Sequence, residues 1–134
     1  MPLPQPCPSL RQLVETVSTE ALASHHASIS LELDIDPQIP VPADPADVAQ
    51  LLQQLLRQSL NEMDEGELSL IAWQGPNCLE LEIGDTGGPI EDRCGSLPLV
   101  GGKLGSQIIR QNCPQGGAAI TIRFPQRAAQ REAA

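Results

Sequence analysis

The sequence predicts an α+β two-layer sandwich, with a mixed β-sheet covered on one face by about three helices. Two periodicities and their order carry that expectation. From Pro45 to Met63 the apolar residues Val48, Leu51, Leu52, Leu55, Leu56, Leu60 and Met63 keep the spacing of one helical face. From Ile29 to Ile35 the period switches to two, and Leu68 to Trp73, Cys78 to Ile83 and Ala118 to Phe124 read as further strands. The order is helix, strand, helix, strand, strand, glycine-rich segment, short helix, strand, without an internal repeat.

Residues 1–8 carry four prolines and predict an extended lead-in. A domain spanning 9–125 follows, and 126–134 predict a flexible tail. The first helix starts at Ser9, which is spaced from Gln12 as in a capping box, and Leu10, Leu13, Val14, Val17 and Ala21 form its apolar face. His25 and His26 sit at its frayed end; neighbouring positions point apart, so they make poor joint ligands. After the proline-rich loop from Asp36 to Pro42, Asp44 reads as an N-cap before Pro45 at the first helical position. Asp64-Glu65-Gly66 then turns the chain into a hairpin joined by Gln74-Gly75-Pro76-Asn77. Pro98-Leu99-Val100-Gly101-Gly102-Lys103-Leu104-Gly105 predicts a glycine-rich approach to a short helix, with Leu104, Ile108 and Ile109 inward. Cys113 to Gly117 turns the chain back into the last strand, closed by Pro125.

Composition excludes several classes. A net charge of −9 argues against binding a nucleic-acid backbone, which needs clustered lysine and arginine. Trp73 and Phe124 are the only aromatics, so base-stacking surface is nearly absent. No apolar run reaches the roughly 18 residues that predict a membrane span, and the amino end lacks the pattern of a signal peptide. Cys7, Cys78, Cys94 and Cys113 form no C-x-x-C pair, which argues against zinc and for reduced thiols in a cytoplasm.

The stretch Leu79-Glu80-Leu81-Glu82-Ile83-Gly84-Asp85-Thr86-Gly87-Gly88-Pro89-Ile90 is where chemistry is expected. The alternating strand breaks into an aspartate and two glycines, which offers a hydrogen-bond acceptor at a strand end. Gly87 and Gly88 are free to take positive φ and admit another backbone or a ligand beside it. A tight turn after a strand explains the same residues without a ligand.

Several stretches together resemble the ATP-binding catalytic domain of sensor histidine kinases, in the ATPase superfamily that includes gyrase. Asp85-Thr86-Gly87-Gly88-Pro89-Ile90 resembles that family's aspartate-x-glycine-x-glycine motif, and Gly101-Gly102-Lys103-Leu104-Gly105 resembles its second glycine box. Ile108-Ile109-Arg110 resembles the helix after that box. Asp47 to Met63 resembles the asparagine-bearing helix, and Gly116 to Pro125 the closing strand. The resemblance implies the Bergerat-type ATP-binding fold over about Ser9 to Pro125, with ATP as ligand and a protein partner in signalling. It also implies roles: Asp85 receives the adenine amino group with Gly87 beside it. Gly101, Gly102, Leu104 and Gly105 lie under the phosphates, and Gln54 and Gln58 line the nucleotide from the helix.

The departures from the family bear on activity. Gln58 stands where the family presents a magnesium-binding asparagine, and its extra methylene changes the reach to the ion. Lys103 replaces a glycine. Only ten residues separate Ile90 from Gly101, where the family has a longer closing segment. His26 is followed by Ala27 and Ser28 rather than by the acidic residue of a phosphoacceptor motif. Two readings follow from these residues: a stand-alone nucleotide-binding domain of doubtful catalysis, or a non-catalytic descendant that serves as a protein-interaction module. Asp85-Thr86-Gly87 is also the triplet of dimeric aspartic proteases, but the helix from Pro45 to Met63 has no place in those nearly all-β folds.

Overall fold

The computed structural model describes residues 9–25, 28–93 and 104–126. The lead-in with Cys7, then His26, Cys94, Gly101, Gly102, Lys103 and the tail from 127 onward lie outside the described residues. Helix α1 (Leu10–Ala23) begins with the expected capping box: the Ser9 hydroxyl accepts from the Gln12 N–H at 3.2 Å, and the Gln12 side chain accepts from the Ser9 N–H at 3.1 Å. Strand β1 (Ser28–Asp34) follows, with Ile29, Leu31 and Leu33 turned inward and Ser30, Glu32 and Asp34 outward. Helix α2 (Pro45–Asn61) is capped by Asp44, which accepts from the Asp47 N–H at 3.4 Å. Strands β2 (Glu65–Gln74) and β3 (Cys78–Asp85) form the hairpin. A single 3₁₀ turn spans Ile90–Asp92, and β4 (Gln107–Asn112) and β5 (Ala118–Pro125) complete the chain.

The five strands lie in the order β1-β2-β3-β5-β4, with β1 and β2 parallel and every other pair antiparallel. A parallel pair needs a crossover, and α2 provides it. Its apolar face, Val48, Leu51, Leu52, Leu55 and Leu56, is fully buried in one core with Leu68, Leu70, Leu81, Ile83 and Ile122. Each such side chain contributes about 1.5–3 kcal/mol by leaving water. The core therefore locks α2 to the inner face of β2, β3 and β5, and the ends of those three strands are held in place beneath it.

One expected element is different. The segment after the glycines is strand β4 and not a short helix, so the described residues hold two α-helices rather than about three. Leu104 and Ile108 are half-buried against the core as expected, but Ile109 faces the other way and is 37% exposed. The adjacent isoleucines favour a pleated surface. Gly105, at φ +68°, interrupts the chain ahead of them. The five-residue turn 113–117 then lays β4 antiparallel on β5, from Gln107 opposite Arg123 to Asn112 opposite Ala118.

Candidate functional site

Strand alternation decides where the candidate carboxylate goes. On β3, Leu79, Leu81 and Ile83 point into the core and Cys78, Glu80, Glu82 and Gly84 point away, so Asp85 falls on the inner side at the strand's end. It is 5% exposed, and its side chain is wholly buried. A buried carboxylate needs partners. One is local: the Gly87 N–H donates to Asp85 Oδ1 at 2.9 Å. The others come from a residue that reading the sequence did not single out. Arg93 Nη1 donates to Asp85 Oδ2 at 2.8 Å and Arg93 Nη2 to Asp85 Oδ1 at 2.6 Å, a two-point guanidinium–carboxylate pair.

The same guanidinium is anchored on its other side. Nε and Nη2 of Arg93 donate to the Gly88 carbonyl at 2.9 and 2.6 Å, and Glu62 Oε1 at the end of α2 lies 3.9 Å from Nε. The Arg93 side chain is only 8% exposed. Its pKa is raised above the ordinary arginine value, chiefly by the hydrogen bonds to Asp85, against the opposing effect of burial, with the negative charges of Asp85 and Glu62 adding to the rise. Asn112, at the end of β4, positions the turn that delivers Arg93: its Oδ1 accepts from the Ile90 N–H at 2.8 Å, and its Nδ2 donates to Glu91 Oε1.

Two glycines make this packing feasible, for reasons of space. Gly87 does not take the positive φ that its sequence context suggested; instead, a Cβ there would come within 2.7 Å of the Glu62 Cβ and 2.8 Å of its carbonyl. Gly117, at φ +82°, passes under the end of β3, where a Cβ would sit 2.0 Å from the Asp85 carbonyl oxygen.

On α2, the Oε1 of Gln58 accepts from Arg110 Nη2 at 2.8 Å, and Gln54 is half-buried one turn earlier. Between these groups lies a cavity of about 10 Å³ lined by Gln58, Ile90, Arg93, Arg110 and Ile120. That is room for no more than a water molecule, against the roughly 300 Å³ at which small-molecule pockets begin. Asp85, Gly87 and Gln58 are thus brought to one end of the sheet. Leu104 and Gly105 belong to the turn that enters β4, and Gly101 and Gly102 lie outside the described residues.

Among the described residues, the oxygens aligned with the adenine and magnesium contacts are partnered within the chain. Both oxygens of Asp85 and the side-chain oxygen of Gln58 are already bound by guanidinium groups of the same chain. Arg93, Glu62, Arg110 and Asn112 are the residues that sequence reasoning missed. One signal was present: Arg93 is the single basic residue between Arg57 and Lys103 in an acidic chain, eight positions after the aspartate.

The described residues form a mixed five-stranded sheet with two helices on one face. Solved structures of histidine kinases share this fold. A mycobacterial sensor histidine kinase, MprB, superposes with a TM-score of 0.68 at 17% identity over 84% of this chain and 93% of that one. The histidine kinase AdeS of Acinetobacter baumannii gives 0.72 at 22% identity over 94% and 69%. The histidine kinase ThkA, solved in complex with the response regulator TrrA, gives 0.70 at 17% identity, over 88% of this chain and 40% of that one. No family model matches the sequence, and a search of the curated proteins finds no match.

Proposed function

We propose that this chain acts in signal transduction as a protein-interaction module of the histidine kinase-like fold, with its nucleotide cleft closed from within by Arg93. The observation that carries the proposal is the two-point pair between Arg93 and Asp85. In the resemblance Asp85 is the acceptor for an adenine amino group, and here a guanidinium of the same chain fills that place. A ligand entering the cleft has to displace a buried, charge-assisted pair before it gains a single contact. The second guanidinium, Arg110, stands in the same relation to Gln58, the residue aligned with the magnesium ligand.

The competing reading is a stand-alone ATP-binding domain in which magnesium reaches Gln58 and a partner supplies the rest of the machinery. It requires both arginines to leave their carboxylate and amide partners. Calorimetric titration with ATP, with and without magnesium, separates the two. The interaction-module reading expects no heat of binding at millimolar nucleotide in either buffer. Saturable binding in the micromolar range would overturn it and restore the ATP-binding reading.

A further inference from the structure

We infer that the outer face of the sheet is a docking surface for a basic amphipathic helix of a protein partner. The inner face is buried beneath the helices, while the outer face is open along β1 and β2 and is flanked at its Asp85 end by the turn 113–116. Its character follows from strand alternation. Along β2, Ile71 and Trp73 turn outward, and Trp73 is 40% exposed. The register sets Ile71 between Asp34 of β1 and Glu82 of β3, and Trp73 opposite Glu80. Ile71 and Trp73 therefore form an apolar pair at one end of β2, with carboxylates on both sides of Ile71 and Glu80 accepting from Trp73 Nε1 at 3.1 Å.

Towards the Asp85 end, the small residues Ser69 and Gly84 leave a groove of about 350 Å³ walled by Glu32, Glu67 and Glu82. The described basic side chain on this face, Arg123, is spent on Glu80 at 3.4 Å. Glu32, Glu67 and Glu82, on three neighbouring strands around the groove, repel one another. An apolar pair with acidic neighbours is the complement of a helix whose apolar face is bordered by lysine and arginine. The net charge of −9 attracts such a partner and repels both nucleic acid and a second copy of this chain. The inference rests on the proposed function only in taking the partner to be a protein, and the ATP titration does not bear on it.

Trp73 is the sole tryptophan of the chain, so its fluorescence reports on this face alone. The probe is a helical peptide of leucine and lysine with one apolar face, compared with a leucine and glutamate peptide of the same pattern. The lysine peptide is expected to shift Trp73 emission to the blue in a saturable way that added salt weakens. The glutamate peptide should leave the emission unmoved. Combining Glu32→Gln, Asp34→Asn and Glu82→Gln should weaken the lysine peptide roughly tenfold or more. Ile71→Ser, which leaves the charges in place, should also weaken it. Unchanged emission at saturating lysine peptide, unchanged affinity in either variant, or self-association that buries Trp73 without peptide would each overturn the inference.

Discussion

Asp85 and Glu82 are three residues apart on one strand, yet the fold treats them in opposite ways. Asp85 lies on the inner side, where its carboxylate is matched atom for atom by Arg93 and tied to the Gly87 N–H. Glu82 lies on the outer side beside the acidic groove, with Ile71 as its cross-strand neighbour on β2. The difference is one of solvation. A charge that water cannot reach must be neutralised by the chain itself, whereas a charge in water can be left for a partner. The site that resembles a ligand cleft is thus internally complete, and the face that resembles an ordinary solvated sheet carries the unspent charge.

The contrast is broken most severely by Arg93→Ala. With the Asp85 side chain wholly buried, removing its partner leaves an uncompensated charge and costs about 3–5 kcal/mol in urea unfolding. Replacing both partners, Asp85→Asn with Arg93→Met, should recover most of that loss; equal destabilisation in the single and double variants would show that packing and not charge pairing is at stake. Because Arg93 is raised above an already high pKa, its contribution is full from neutral pH up to the ordinary arginine range. It would be lost only as the pH rises through that raised value, so an unfolding scan from neutral to mildly alkaline pH should show no step from this group.

Gly117→Ala should come next. A Cβ 2.0 Å from the Asp85 carbonyl oxygen, at φ +82°, has to push the end of β3 aside, and a loss of about 3 kcal/mol is expected by thermal or urea unfolding. Gln58→Ala removes the acceptor of the Arg110 hydrogen bond and should cost about 1.5–3 kcal/mol by the same measurement. The smallest effect belongs to the outer face. Glu82→Gln should change stability by no more than about 0.5 kcal/mol, on the stabilising side, with the gain shrinking as salt is added. A loss comparable to that of Arg93→Ala would place Glu82 in an internal network and erase the contrast.

Much of this was legible before any coordinates. The Ser9 and Gln12 capping box, the Asp44 and Pro45 start of α2, and the strands read from Ile29, Leu68, Cys78 and Ala118 follow from local rules that act over a few residues, although β2 begins earlier, at Glu65, within the stretch read as a turn. Asp85 at a buried strand end follows too, because alternation from Leu79 onward carries it to the core side. The segment from Leu104 to Asn112 was misread because inward apolar residues at short spacing suit a one-turn helix and a strand equally. Only the pairing with β5 resolved it.

What the sequence determined by itself is therefore the set of elements and the face each buries, since side-chain period and capping chemistry are local properties. What the tertiary structure alone decided is which charges meet. Asp85 with Arg93 and Gln58 with Arg110 are joined across 8 and 52 residues by the register of β3, β5 and β4 beneath α2. Such pairs leave no periodic trace in a chain, because a guanidinium finds a buried acceptor through the fold's geometry and the cost of leaving that acceptor dry, not through spacing.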